Sequence, residues 1–322
     1  MDHQPAPHHI LIQKPENGMD RFKNILFVTR SQAVEPAETF SRALELVVRN
    51  HARLTVASLI PEEARWNGDL MKVVEHSRLE ELRPWHDAAA QQGVTARLCV
   101  VAGRHWRELI RLVEADGHDL IMTHLLPATG LREWVFGSTT LHLLRKCPCE
   151  VWVLKPAPNR SERRVLAAVD PDRTGDPDLN RKILTLAASL AAHDSARLDV
   201  LHAWSFFAED LLRNRGRLPE EEIAEILRGQ EAAHRRQLQA AIEYAGLEPG
   251  SYALHLVHGT PHEEIVRHVR REGIQLLVIG TVRRARITGL LIGSTAETVL
   301  EQVDCSVLAV KPDAFIPPPL ED

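Results

Sequence analysis

The amino-acid sequence predicts an α/β fold of two tandem Rossmann-like units, each a five-stranded parallel sheet with helices on both faces, packed as an internal pseudo-dimer. Three observations predict it: the chain repeats itself, short apolar runs alternate with helical stretches, and a short proline-rich segment joins the copies. The length of 322 residues suits two domains. A hydrophobic share of 44% and a charged share of 26% are ordinary for globular chains.

The repeat emerges when the chain is shifted by 156 residues. Val101-Ala102-Gly103 then falls on Val257-His258-Gly259, and Glu108 on Glu264. Phe136-Gly137-Ser138-Thr139 falls on Ile292-Gly293-Ser294-Thr295, Cys149 on Cys305, and Lys155-Pro156 on Lys311-Pro312, without a gap. Earlier in each half the shift is smaller: Ala52-Arg53-Leu54 matches Ala196-Arg197-Leu198, and Ile25-Leu26 matches Val165-Leu166. The second half therefore carries extra residues, mostly around Trp204 to Pro219.

The second half shows the element order most clearly. Arg164–Val169 is a short apolar run ending at Asp170, and 179–192 carries apolar residues at helical spacing. A second strand is expected over 198–203, and a long amphipathic helix over 219–244, closed by Gly246. A third strand covers 253–257, followed by a helix over 261–271 with proline in its first turn, where proline fits. The run 276–279 reads as a strand buried on both faces, 293–303 as a helix and 306–310 as the last strand. The first half reads the same way from Asn24 to Leu154. Five strands alternating with four helices imply right-handed crossovers and a mostly parallel sheet. The linker Pro156-Ala157-Pro158-Asn159-Arg160-Ser161 keeps the halves close, and pairing the last strands across them would hide both apolar edges.

The boundaries follow. Residues 1–19 are rich in proline and histidine, lack periodicity and are expected to be disordered. Residues 20–156 form the first domain and 157–322 the second, with a tail at 313–322. The net charge of −5 gives no basic footprint for nucleic acid. No run approaches the ~18 apolar residues of a membrane span, and the N-terminus lacks a secretory pattern. Four cysteines are too few to staple this length, so reduced thiols in the cytoplasm are expected. Cys147-Pro148-Cys149 reads as a helix end, a proline stop and a strand start, with a redox pair as the weaker alternative.

The element order, the Gly-Ser-Thr at a helix start and the ending CSVLAVKPDAF resemble the universal stress protein family. The tandem form, HLLRKCP ending at Pro148 and GTVRRARITGLLIGSTAE over Gly280–Glu297 are similar to its tandem-domain type. The resemblance covers Asp20 to Asp322. It implies units of the adenine-nucleotide alpha-hydrolase type and, in members that bind nucleotide, a pattern G-x2-G-x9-G-[S/T] with an aspartate ending the first strand. In the second half the matching positions are Asp170, Gly280, Arg283 in place of the second glycine, Gly293 and Ser294, with Thr295 beside them. In the first half they are Arg30, His124, Pro127, Gly137 and Ser138, so three of the five have been lost.

The residue types suit the chemistry. Ligands of open parallel sheets bind beyond the carboxyl ends of the strands. Gly280 lets backbone approach a phosphate, the 293–295 stretch opens a helix whose free N–H groups favour anions, and Asp170 can accept from a ribose or adenine donor. Structural readings stand beside these. Ser294 with Glu297 forms a capping box, and Gly-Ser-Thr survives in the decayed first half, which argues for a structural share. Asp170-Pro171-Asp172 also reads as a turn. On this reading Gly280 is the more telling glycine, because His124 replaces it. Arg283, Arg284 and Arg286 read equally as a phosphate clamp and as a solvated loop. His202 and His258 are weak zinc candidates, and His255 lies nearby.

The leading expectation is a stress-response protein that binds ATP or a related anionic ligand in its second half, without a sign of catalysis. The alternatives are a scaffold that binds no nucleotide, or a lipid or metal instead, and a slow ATPase, for which no Walker lysine motif is present. Protein partners and further dimerisation stay open.

Overall fold

The computed structural model describes residues 22–29, 37–60, 68–103, 105–124, 137–155, 162–172, 176–215, 218–281, 293–313 and 315–318. The expected tail before Met19, the linker 156–161, Arg30, Pro127, Arg283, Arg284 and Arg286 lie outside them.

The first half runs β1 (Asn24–Thr29), α1 (Ala37–Asn50), β2 (Arg53–Ile60), α2 (Gly68–Gln91), β3 (Ala96–Ala102), α3 (His105–Asp116), β4 (Leu120–His124), α4 (Ser138–Lys146) and β5 (Glu150–Leu154). The second runs β6 (Arg164–Ala168), α5 (Pro177–His193), β7 (Arg197–Trp204), α6 (Glu209–Arg215), α7 (Glu220–Ala245), β8 (Ala253–His258), α8 (Pro261–Glu272), β9 (Leu276–Gly280), α9 (Ser294–Gln302) and β10 (Ser306–Val310). From β3 onward each element repeats in β8 to β10 with the same spacing. The departure is α6, a helix without a counterpart among the described residues of the first half. It is built from the extra residues that break the repeat, and its seven residues are too few for a periodicity reading.

All ten strands form one sheet in the order β3-β2-β1-β4-β5-β10-β9-β6-β7-β8. Every pairing within a half is parallel, and the halves meet where β5 runs antiparallel to β10, with Trp152 opposite Leu308. The expected pairing of the last strands is therefore what joins the two copies. Each half has the order of a doubly wound fold, with its switch point between β1 and β4, and between β6 and β9. One core cluster gathers Phe27, Phe40, Trp85 and Trp152 with Leu184, Val278 and Leu308; the other gathers Leu26, Leu143 and Val151 with Leu277, Val299 and Val307. Both draw on both halves, so the apolar interior is continuous across the seam.

Polar groups also cross the seam. Arg42 of α1 forms a two-pronged pair with Asp194 at the end of α5. Arg145 of α4 pairs with Glu297 of α9. Lys182 of α5 reaches Glu150 of β5 at 2.5 Å and Asp313 at 2.7 Å. Gly259 explains one repeated pattern. Its φ is +153°, and a Cβ there would stand 2.4 Å from an oxygen of Glu264. The same Gly and Glu recur at 103 and 108, where Gly103 also has a positive φ of +128°.

Candidate functional site

The site lies beyond the carboxyl ends of β6 and β9, where the sheet order reverses. Asp170 follows β6 and is exposed. Asn180 of α5 holds its backbone on both sides, accepting from the Asp170 N–H at 3.1 Å and donating to its carbonyl at 2.8 Å. Gly280 closes β9, and Gly293 stands at the cap position of α9. The Gly293 N–H closes onto the Thr281 carbonyl at 2.9 Å, while the first-turn N–H groups that follow have no intrahelical acceptor. Together Asp170, Gly280, Gly293 and Thr295 line a cleft of about 320 Å³.

A family model described as the universal stress protein family matches residues 21–155 and again 162–311. The chain belongs to the universal stress protein family. It is 28% identical to universal stress protein E of Escherichia coli K12 over 232 residues, covering 70% of this chain and 71% of that one. It is 25% identical to universal stress protein E of Photorhabdus laumondii over 316 residues, covering 92% of this chain and 97% of that one. Among solved structures, a functionally unknown protein from Pseudomonas aeruginosa PAO1 superposes with a TM-score of 0.69 at 24% identity, covering 92% of this chain and 95% of that one. A universal stress protein from Archaeoglobus fulgidus superposes with a TM-score of 0.58 at 18% identity, covering 89% and 98%. These structures share the tandem fold.

Within this universal stress protein the two glycines of the site differ in physical standing. At Gly280 a Cβ would meet Leu179 Cδ2 at 3.0 Å and Ile183 Cδ1 at 3.3 Å, so α5 packs into the space that a side chain would fill. Packing alone gives a reason for glycine there. Gly293 has an ordinary extended backbone, with φ −59° and ψ 141°. Among the described residues the nearest atom to a Cβ there is the Thr281 oxygen, at 4.0 Å. Neither conformation nor packing demands glycine at 293. The same is true of Gly137 in the first half, where a Cβ would meet nothing within 4 Å among the described residues. The capping-box expectation is corrected too: Gly293 occupies the cap, Ser294 is the first helical residue, and the Glu297 carboxylate pairs with Arg145 across the seam.

The structure brings other residues to the cleft. Thr281 lines it with a buried hydroxyl that has no hydrogen-bond partner among the described residues. His202 lies in its wall, its Nδ1 3.2 Å from the Val169 carbonyl and its Nε2 3.0 Å from His234 Nδ1. The carbonyl fixes a proton on His202 Nδ1, so its Nε2 accepts from His234. Burial lowers the pKa of both, which keeps both rings neutral near pH 7. His202 therefore has no lone pair left for zinc. His258 instead meets Glu209 of α6 at 2.9 Å and stacks on Trp204 at 4.4 Å. The expected His202–His258 zinc pair is not supported, because each ring is already engaged elsewhere. His234 and Thr281 escaped the sequence reading because one sits mid-way along a long amphipathic helix and the other beside a glycine that drew attention first.

In the first half His124 ends β4, buried where Gly280 stands in the second, and Gly137 caps α4. Cys147 caps the end of α4, and Cys149 precedes β5; both are buried and both are free thiols, with their sulfurs 3.3 Å apart. No described helix is long and apolar enough to cross a membrane.

Proposed function

We propose that this universal stress protein serves the stress response as a ligand-binding protein of the cytoplasm, and that its second half holds ATP or a related adenine nucleotide. The observation that carries the reading is the α9 N-terminus, whose capping Gly293 lines the same cleft as Asp170. Anionic phosphates suit the helix N-terminus. The ribose and adenine donors suit the acceptor-rich wall formed by Asp170, Asp172 and the neutral His234. The Thr281 hydroxyl is a further donor within the cleft. Ser294 and Thr295 complete the proposed contacts through the first turn of α9.

One observation favours a second reading, an apolar or lipid-type ligand. Leu179, Ile183, Leu201, Ile265 and Ile279 line the inner part of the same cleft. Mass spectrometry of the ligand released from purified protein, with calorimetric titration of ATP, tests the choice. The nucleotide reading expects one adenine nucleotide site per chain. Release of an acyl ligand with no heat on ATP addition would overturn it in favour of the second.

A further inference from the structure

A second cluster of chemistry-bearing side chains lies away from the cleft. Asp199 of β7, His255 of β8 and His268 of α8 bring a carboxylate oxygen and two imidazole nitrogens within 4.8 Å of one another. Register explains the first pair. Asp199 lies opposite Ala253, so His255, two residues on, shares its face of the sheet. The helix α8 covers that face and lowers His268 onto the carboxylate. The two imidazole planes are inclined at 62°, edge to face, with centroids 4.4 Å apart.

The polar accounting here is incomplete. His255 Nε2 stands 3.3 Å from Asp199 Oδ1. The other oxygen, Oδ2, stands 3.6 Å from His268 Nε2, and both atoms are buried without a hydrogen-bond partner among the described residues. A gap of 3.6 Å is too long for a hydrogen bond. It suits two ligands of one ion: donors held at about 2.0–2.2 Å in a tetrahedron lie roughly 3.3–3.6 Å apart. Burial works against the charge on Asp199, but the hydrogen bond from His255 and the nearby His268 imidazole hold its carboxyl below the usual carboxylate range. Arg164 stands 3.9 Å from Oδ2, and its guanidinium also meets Glu272 at 2.8 Å and Glu162 at 3.2 Å, so two further carboxylates offset that charge.

We propose that Asp199, His255 and His268 form a site for one divalent first-row metal ion of the zinc class, with water in the fourth position on the side of His255. His255 is the partly exposed ligand, at 26% of its side chain, and marks the entry path. Two imidazoles with one carboxylate are a donor set such ions accept. Binding at His268 Nε2 moves the ring proton to Nδ1, which now faces an Arg271 nitrogen at 3.3 Å. Arg271 is largely exposed and already reaches Glu272 at 2.8 Å, so it can swing away. The ion would tie α8 to β7 and β8, and the first turns of α8 place Pro261 and Ile265 in the wall of the cleft.

The test uses full-length protein stripped with a chelator, titrated with zinc chloride by calorimetry and with cobalt(II) by visible absorption. Wild type is expected to bind one ion at this site, to show the absorption of four-coordinate cobalt and to gain thermal stability with added zinc. His268→Gln should lose that ion, and His255→Gln should weaken it by roughly ten-fold or more. Arg271→Ala should bind as tightly or more tightly. His255→Gln decides the matter if His268→Gln fails to fold, because His255 is partly exposed. Equal zinc affinity and stoichiometry in wild type and His255→Gln, or no binding at all, would overturn the proposal; equal binding would assign the ions to histidines elsewhere in the chain.

Discussion

Lys311 of the second half donates its ammonium group to the carbonyl of Leu144 in the first, at 2.9 Å, and Lys155 of the first half does the same to Val303 in the second. The two lysines occupy repeated positions after β10 and β5. Each places a buried positive charge at the carbonyl end of the last helix of the opposite half, where the helix dipole favours it.

This latch has a pH signature. Burial pushes the Lys311 ammonium down to about 8 from its ordinary 10.5. The unfolded chain keeps that proton up to about 10.5, so between the two values the unfolded state binds more protons and stability rises with pH. Comparing wild type with Lys311→Met in denaturant titrations at about pH 7 and about pH 10 isolates the effect. The difference should shift toward wild type by on the order of 2–3 kcal/mol. A difference independent of pH would show that the ammonium titrates normally.

The two glycines of the cleft should separate. Gly280→Ala is expected to lose about 1–2 kcal/mol of stability against Leu179 and Ile183, and to recover part of it in a Leu179→Ala background. Gly293→Ser should keep stability within about 0.5 kcal/mol, because serine is a good cap, while weakening ATP by roughly ten-fold. Chemical denaturation and calorimetry on the same samples check both halves of the statement. Loss of stability in Gly293→Ser would return that glycine to a structural role.

Asp170→Asn should weaken ATP binding by about ten-fold or more, since an amide accepts a donor less strongly than a carboxylate. Arg30→Ala should leave it unchanged. Arg283→Gly is expected to bind ATP equally or more tightly, as glycine frees the loop to curl around phosphate. Two equal sites per chain in the calorimetric isotherm would contradict this assignment to the second half.

Gly259→Ala should be destabilising by about 2–4 kcal/mol, from a backbone conformation unsuited to side chains and a collision with Glu264. Shortening the partner, as Glu264→Ala, should relieve the collision and leave the conformational strain. A thermal midpoint unmoved by Gly259→Ala would remove the packing account of Gly259 and Glu264.

Much of the fold was legible because its signals are local or repeated. The runs that became β6 to β10 are short, apolar and punctuated, and the repeat carried the reading from one half to the other. The helix α6 was not legible, because it is one short helix inside the segment where the repeat breaks. The seam was legible only in part. Burying two apolar edge strands predicts that β5 meets β10, but the crossings from Arg42 to Asp194 and from Lys182 to Glu150 depend on how helices sit over the joined sheet. The cleft was legible through Asp170, Gly280 and the α9 start, because backbone demands leave small residues in sequence. The packing share in the role of Gly280 was hidden, because no one-dimensional pattern shows the approach of Leu179. The Asp199–His255–His268 cluster was hidden for the same reason: strand register and helix placement assemble it from residues far apart in the chain.

The antiparallel joint between β5 and β10 has a consequence for what the two copies can become. An interface between identical chains is self-complementary, so every substitution enters it twice, once on each side of the axis. Here the axis is only approximate, and a substitution enters once. Arg42 with Asp194 and Arg145 with Glu297 are pairs of this one-sided kind. Dilution cannot part the halves, because the linker holds one beside the other at a high effective concentration. Each copy can therefore change on its own side of the seam while it stays the other's permanent neighbour.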